Sequence, residues 1–308
     1  MEQPQQFMTP THVLLILVDG LGIPECNLDE SVYAACPAIR RLMSKHAVAT
    51  DPTLNTPGIP QSATGQTAIL TGVNAAQLLG RHMSGFPNRE LRDIIERGNI
   101  FRKLLDRGRS CVFANAYVRA RERKLPATLQ SVTTVATLAA FDQPLAADAL
   151  AAGRAVYHDL THEWLHAHGN ADFPVIPESE AATNLARVVR DVDFTLFEYF
   201  LTDHAGHRGT PQEQQEVLRS LDRFLSALLA LWDTRRDLLL LVSDHGNIEA
   251  PDVTRHTRNP VPFCAWGCGA AAARHGVRSI VDVTPRILEI LPCTEDSAKC
   301  TRVSDAEC

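Results

Sequence analysis

The sequence predicts an α/β protein, a three-layer sandwich whose central sheet is mostly parallel and covered by helices on both faces. Three short apolar runs, VLLILV, DFTLFEYFL and DLLLLVS, are continuous rather than alternating, the pattern of strands buried on both sides. Helical segments separate them, and repeated alternation of strand and helix implies parallel pairing. Each run also leads into metal-binding side chains: Asp19 after the first, Asp203 with His207 after the second, Asp244 with His245 after the third. Ligands of open α/β sheets bind beyond the carboxyl ends of the strands, so these groups are expected at one edge.

The elements follow in order. After the first strand, Pro37 opens PAIRRLMSKH, a short helix with proline at its first position. The Pro- and Gly-containing segment DPTLNTPGIPQSATGQTAILTG becomes helical near its end, with Ser62 where loop meets helix. From Asn88, Leu91, Ile94, Ile95, Leu104 and Leu105 recur at helical spacing, followed by strand-like CVFANAY. Residues 119–177 are Ala-, Thr- and Leu-rich and no apolar run there ends in an acidic residue. They read as a small helical insertion or reduced cap on a core formed by 1–118 and 178–295. SEAATNLARVV is a helix, DFTLFEYFL a strand, PQEQQEVLRSLDRFLSALLALW a long amphipathic helix and DLLLLVS a buried strand. The end, 296–308, lacks periodicity and is expected to be mobile.

A chain of 308 residues, 45% hydrophobic, can bury one large core with a subsidiary insertion. Its net charge of -6 argues against non-specific nucleic-acid binding, which needs Lys and Arg on phosphates. The first residues have no basic n-region, and no stretch approaches a membrane span, so a cytoplasmic protein without a membrane partner is expected. The eight cysteines form no CxxC pair, which leaves free thiols, buried at Cys111 and Cys264, rather than a thiolate zinc site or disulfide framework.

Asp, His and a serine oxygen make a mixed oxygen and nitrogen donor set suited to Zn2+ or Mn2+. Asp203 and His207 are expected in a loop that Gly206 lets turn back, and Gly246 is expected to let Asp244 and His245 leave strand geometry. Ser62 is the candidate nucleophile, activated by metal coordination and by a helix N-terminus that offers amides to a phosphoryl oxygen. Alone it would read as a helix cap. Two ions a few Å apart would stabilise both the attacking and the leaving oxygen.

The stretches LLILVDGLG, QSATGQT, TDHAGH, SDHGNIE and RHTRNPVPF together resemble the alkaline phosphatase superfamily, in the branch of cofactor-independent phosphoglycerate mutase and phosphopentomutase. The resemblance covers about 11 to 80 and 190 to 292. It implies an alkaline phosphatase-like fold, with one divalent metal on Asp203, His207 and His256 and a second on Asp19, Ser62, Asp244 and His245. The family's S/T-x-x-G-H around the nucleophile is SATGQ here, with Gln66 in place of His. The family's mutases carry large caps bearing their substrate-binding residues, whereas the insertion here is short. Hydrolysis of a small phosphorylated substrate through a phosphoserine is therefore the leading expectation, and phosphomutase activity the alternative.

Substrate contacts are expected from Arg81 and His82, close after the nucleophile helix, and from Arg255 and Arg258, which flank His256. The run RARERK, with Arg119, Arg121, Arg123 and Lys124, reads as a solvated turn or an anion contact. A rival motif exists, because HEWLH fits the H-E-x-x-H of zinc proteases, with His162 and His166 on one helix face and Glu163 as base. That reading leaves Asp19, Asp203, Asp244 and His256 unexplained. The serine lacks the Pro and Arg of a sulfatase motif and the flanking glycines of a nucleophile elbow. Binding of metal or a phosphorylated ligand without turnover is a further alternative.

Overall fold

The computed structural model describes residues 9–119, 122, 124–170 and 172–294. The segment 296–308, Arg121 and Arg123 lie outside the described residues. Six strands form one sheet: β1 (His12–Val18), β2 (Ala47–Thr50), β3 (Cys111–Phe113), β4 (Phe194–Tyr199), β5 (Asp237–Ser243) and β6 (Val261–Gly267). Their order is β2-β6-β5-β1-β4-β3. Strands β3, β4, β1 and β5 pair in parallel, while β6 runs antiparallel to both β5 and β2. The architecture is thus the α/β three-layer type, with a mixed sheet flanked by helices.

β1 sits at the centre and its six apolar residues are split by the pleat between two cores. Leu14, Ile16 and Val18 pack with the helices Glu178–Val189 and Pro211–Leu231 on one face. Val13, Leu15 and Leu17 pack on the other with the helices Ser62–Thr71 and Val283–Ile290. Burial on both faces is why the run is continuous rather than alternating.

Register explains where the chemistry lands. Val18, the last residue of β1, is level with Tyr199 at the end of β4 and with Ser243 at the end of β5. The residues that follow all three strands therefore emerge side by side. Because β6 is antiparallel to β5, its start faces the same edge, and so does the end of β2, where Thr50 pairs with Val261. The loop carrying His256 and the loop leading to Ser62 join the others there.

Within 119–177, the helix Val132–Ala140 contributes Val132, Val135 and Ala136 to one of the sheet's own cores. The short helices Ala147–Ala151 and Glu163–Ala167 instead close a small separate cluster around Leu150, Tyr157 and Leu165. Among the described residues, no helix is long and apolar enough to cross a membrane.

Candidate metal and phosphoryl-transfer site

Asp19 follows β1 directly, and its amide donates to the Tyr199 carbonyl at 2.9 Å, tying the first strand end to its neighbour. Asp203 and His207 do not lie in a loop. They occupy one face of the helix Leu201–Arg208, four residues apart, with His207 Nε2 3.5 Å from Asp203 Oδ1. Gly206 is needed there for space: a Cβ would stand 2.6 Å from Asn247 Oδ1. Gly246 is likewise a close-approach glycine, with Thr257 Oγ1 2.2 Å from its would-be Cβ, and the chain does leave strand geometry after Ser243. Neither glycine has a positive φ among those recorded, so space and not backbone freedom fixes both.

The side chains gather in two overlapping groups. In the first, Asp203 Oδ1 lies 3.2 Å from His256 Nε2, and His207 Nε2 faces His256 Nε2 at 2.8 Å. His207 Nδ1 is 2.7 Å from the Thr254 carbonyl and His256 Nδ1 2.9 Å from the Pro60 carbonyl. Carbonyls only accept, so each Nδ1 carries a proton, and in the neutral rings both Nε2 lone pairs point into the same space. Two lone pairs and a carboxylate aimed at one point form a cation-binding set. In the second, His245 Nε2 lies 3.1 Å from Asp19 Oδ1, 3.6 Å from Asp244 Oδ2 and 2.9 Å from Ser62 Oγ. Asp19 Oδ1 and Asp244 Oδ2 are buried, and neither accepts a well-formed hydrogen bond among the described residues. Asp19, Asp244 and His245 can converge on one ion, as can Asp203, His245 and His256.

The electrostatics demand positive charge. Among the described residues, the only ion-pair partners of Asp19, Asp203 and Asp244 are histidines. Burial, then the neighbouring Asp244 charge, pushes Asp19 well above the usual carboxylate range. Burial also raises Asp244, with His245 opposing and Asp203 adding to it. Burial alone would lower His245, but the Asp244, Asp19 and Asp203 carboxylates outweigh it and hold the imidazole up at about 10. Burial acts against ionisation of Asp203 too, yet the His256 contact and the His245 charge hold it down at about 2. Orphaned carboxylate oxygens and facing imidazole lone pairs together fit divalent cations.

Ser62 opens the helix Ser62–Thr71 and lines a cleft of about 490 Å3 with Asp19, Asp203 and His207. Gln66, one turn on, donates from Nε2 to Asp19 Oδ2 at 3.0 Å. The substrate contacts expected from sequence lie elsewhere. Arg81 is exposed, His82 turns to the Thr56 carbonyl at 3.3 Å, and neither lines this cleft. Arg255 and Arg258 line a separate hollow that reaches His256 from its other side. The cleft's own guanidinium is Arg208, which sequence reasoning missed although it directly follows His207.

Glu198 was missed as well. It is buried on β4, accepts from Thr133 Oγ1 at 2.7 Å, and borders the cleft. Burial, partly offset by that bond and reinforced by Asp244, raises it to about 7. Its signal was a lone charged residue within a fully buried strand. The H-E-x-x-H residues are not assembled: His162 precedes its helix with a φ of 66°, its Nδ1 meets the Pro174 carbonyl at 3.0 Å, and His166 Nε2 meets the Phe173 carbonyl.

The family model for the metalloenzyme superfamily matches residues 11–294. The chain is 29% identical over 133 residues to the 2,3-bisphosphoglycerate-independent phosphoglycerate mutase of Agrobacterium fabrum, covering 39% of this chain and 26% of that one. It is 40% identical over 90 residues to the phosphopentomutase of Shewanella denitrificans, covering 29% of this chain and 22% of that one. The matches thus span about a quarter of these relatives' length. Among solved structures, the PH0037 protein of Pyrococcus horikoshii superposes with a TM-score of 0.58 at 17% identity, covering 94% of this chain and 99% of that one. A cold-active alkaline phosphatase of Shewanella sp. gives 0.51 at 12% identity, covering 91% and 100%. The match over nearly the whole chain makes this protein a member of the metalloenzyme superfamily.

Proposed function

We propose that the chain is a two-cation phosphohydrolase that cleaves a small-molecule phosphate ester through a phosphoserine at Ser62. The observation that carries this reading is Ser62 Oγ at a helix N-terminus, 2.9 Å from His245 Nε2 and beside two buried carboxylates that each have one oxygen without a donor. Asp203, His207 and His256 would hold one Mn2+ or Zn2+, and Asp19, Ser62, Asp244 and His245 the other. Bound there, the ions would supply positive charge to phosphoryl oxygens and lower the pKa of the serine hydroxyl.

The chain's own residues do the rest. Thr64 and Gly65 already donate their amides to the Met83 and Gln61 carbonyls, which leaves the first-turn amides of Ser62 and Ala63 for a phosphoryl oxygen. Arg208 offers a second, charged donor from the cleft wall. Gln66 fixes the orientation of Asp19, and the Thr254 and Pro60 carbonyls keep protons on Nδ1 of His207 and His256, so that Nε2 is the atom turned to a cation. Ser62 Oγ gives its proton to cleft water and forms a bond to phosphorus as the ester P–O bond breaks, and the same water passes a proton to the leaving alcohol. Water then attacks phosphorus, the Ser62 O–P bond breaks to release inorganic phosphate, and the proton lost by the water returns to Ser62 Oγ.

Hydrolysis is favoured over transfer because, among the described residues, the cleft carries a single, exposed guanidinium and no lysine with which to retain an anionic alcohol during reorientation. The names of the matched relatives favour the mutase alternative. Metal-stripped protein, reloaded with Mn2+ or Zn2+, is to be given an aryl phosphate, 3-phosphoglycerate and ribose 5-phosphate. Phosphorylation of Ser62 seen by mass spectrometry, with release of inorganic phosphate, is the expected result. An isomer without free phosphate would establish the mutase, and no metal-dependent turnover would sink the proposal.

A further inference from the structure

Next to the phosphoryl cleft lies a second cavity, of about 460 Å3, that no motif announced. Ser131, Glu198, Phe200 and His204 line both, so the two hollows share a wall. The second differs in character. Phe113 and Tyr117 supply one side from the end of β3, and Trp164, Phe200 and Leu125 the others. His158 packs its ring 4.7 Å from Phe200 and 5.2 Å from Trp164. Such a volume, aromatic walls and a few polar groups are what a small-molecule pocket needs.

The polar groups narrow the ligand further. Among the described residues, no lysine or arginine lines the cavity, and its carboxylates are Glu198 and Glu122. Glu122 is engaged by Tyr157 Oη at 2.9 Å and Arg119 at 3.1 Å, and Glu198 by Thr133. A carboxylate-bearing alcohol would meet carboxylates here, and a polyhydroxylated one would lose water to aromatic faces. Burial drives His158 down to about 3, so the ring is neutral, and its Nδ1 is buried with no hydrogen-bond partner.

We infer that this cavity seats the alcohol portion of the ester, a planar aromatic and uncharged group, while the phosphate lies against Ser62. The inference deepens the phosphohydrolase reading and rests on it for the position of the phosphate. It also gives the 119–177 segment a role, since Leu125, His158 and Trp164 all come from it. The aromatic walls gain most from a flat ring through stacked and edge contacts.

The test separates the pocket from the chemistry. Binding of 2-naphthol is followed by calorimetry on metal-stripped protein and needs no turnover. Wild type is expected to bind it. Leu125→Trp, which fills the cavity, and Phe200→Ala, which removes a half-exposed wall, should each weaken binding by roughly tenfold. With metal present, the ratio of kcat/KM for 2-naphthyl phosphate to that for glycerol 3-phosphate should favour the aryl ester in wild type. It should fall by roughly the same factor in both variants. Unchanged melting temperatures confirm that each variant is folded. If naphthol does not bind, or binds both folded variants as well as wild type, the pocket assignment is wrong. If naphthol binds and is lost in both variants but no ester is cleaved, the pocket stands and the phosphohydrolase reading falls.

Discussion

Replacing Asp244 by Asn should make the metal-stripped protein more stable and deprive it of its response to metal. Asp244 is fully buried, its Oδ2 has no donor, and its carboxyl is raised by burial despite His245 beside it. A group whose folded pKa exceeds its unfolded value favours folding only while protonated in the folded state. Its contribution to stability therefore falls as pH rises from about 4 towards the raised folded value. Asn keeps the shape and removes the charge. Two like charges about 5 Å apart at an effective dielectric of about 20 repel by ~3 kcal/mol, and losing the attraction to His245 cancels much of the gain. A net stabilisation of about 1–2 kcal/mol near neutral pH remains, shrinking as pH falls towards about 4. The metal arm is larger: a cation at a hundredfold excess over its Kd stabilises by about 2.7 kcal/mol. At about 1.5 °C per kcal/mol for a chain of this length, wild type should gain ~4 °C on adding Mn2+ or Zn2+. Thermal unfolding with chelator and with metal, at acid and neutral pH, reads both arms. A variant less stable than wild type under chelator at neutral pH, or one that keeps the full metal shift, would refute the reasoning.

Gly206→Ala should weaken metal binding without touching a proposed ligand, because its Cβ would displace Asn247, which donates to Asp203 Oδ1 at 2.7 Å. Second-sphere losses of this kind cost ~10–100-fold in metal affinity, measurable by competition with a chromogenic chelator. His162→Ala should leave metal content and turnover unchanged while costing about 1 kcal/mol of stability through its bond to the Pro174 carbonyl. Metal analysis of the purified variant checks this, and loss of bound metal would restore the protease reading.

The strands that carry the site were legible because each is buried on both faces, and nothing but a continuous apolar run satisfies that environment. β2 and β6 were not. Ala47–Thr50 is four residues at the sheet edge with its first three positions partly or wholly exposed, so it shows no apolar run. Val261–Gly267 carries Pro262, which cannot donate to a ladder and argues against a strand, yet it lies between β2 and β5. The break at Asn99 between the helices Arg89–Gly98 and Ile100–Leu105 was also hidden, because apolar spacing runs through it. Only the Asn99 side chain, accepting from the Phe101 amide at 3.0 Å, marks the second start.

The reacting groups and the pocket differ in legibility for a physical reason. A residue just after a parallel strand has its position set by backbone register, so Asp19 and Asp244 were located by the strands before them, and Tyr199 fixed where Asp203 would begin. A pocket wall has no such constraint. Phe113, Leu125, His158, Trp164 and Phe200 meet only because the 119–177 segment folds back over the ends of β3 and β4, and no spacing in sequence encodes that return. H-E-x-x-H shows the converse error. Its spacing is helical, but the helix starts at Glu163, and His162 sits outside it at positive φ, so the periodicity had no helix to act on. Side chains fixed by a strand end can be placed by pattern alone. Side chains whose meeting depends on tertiary closure cannot, and here it is these that line the cavity assigned to substrate choice.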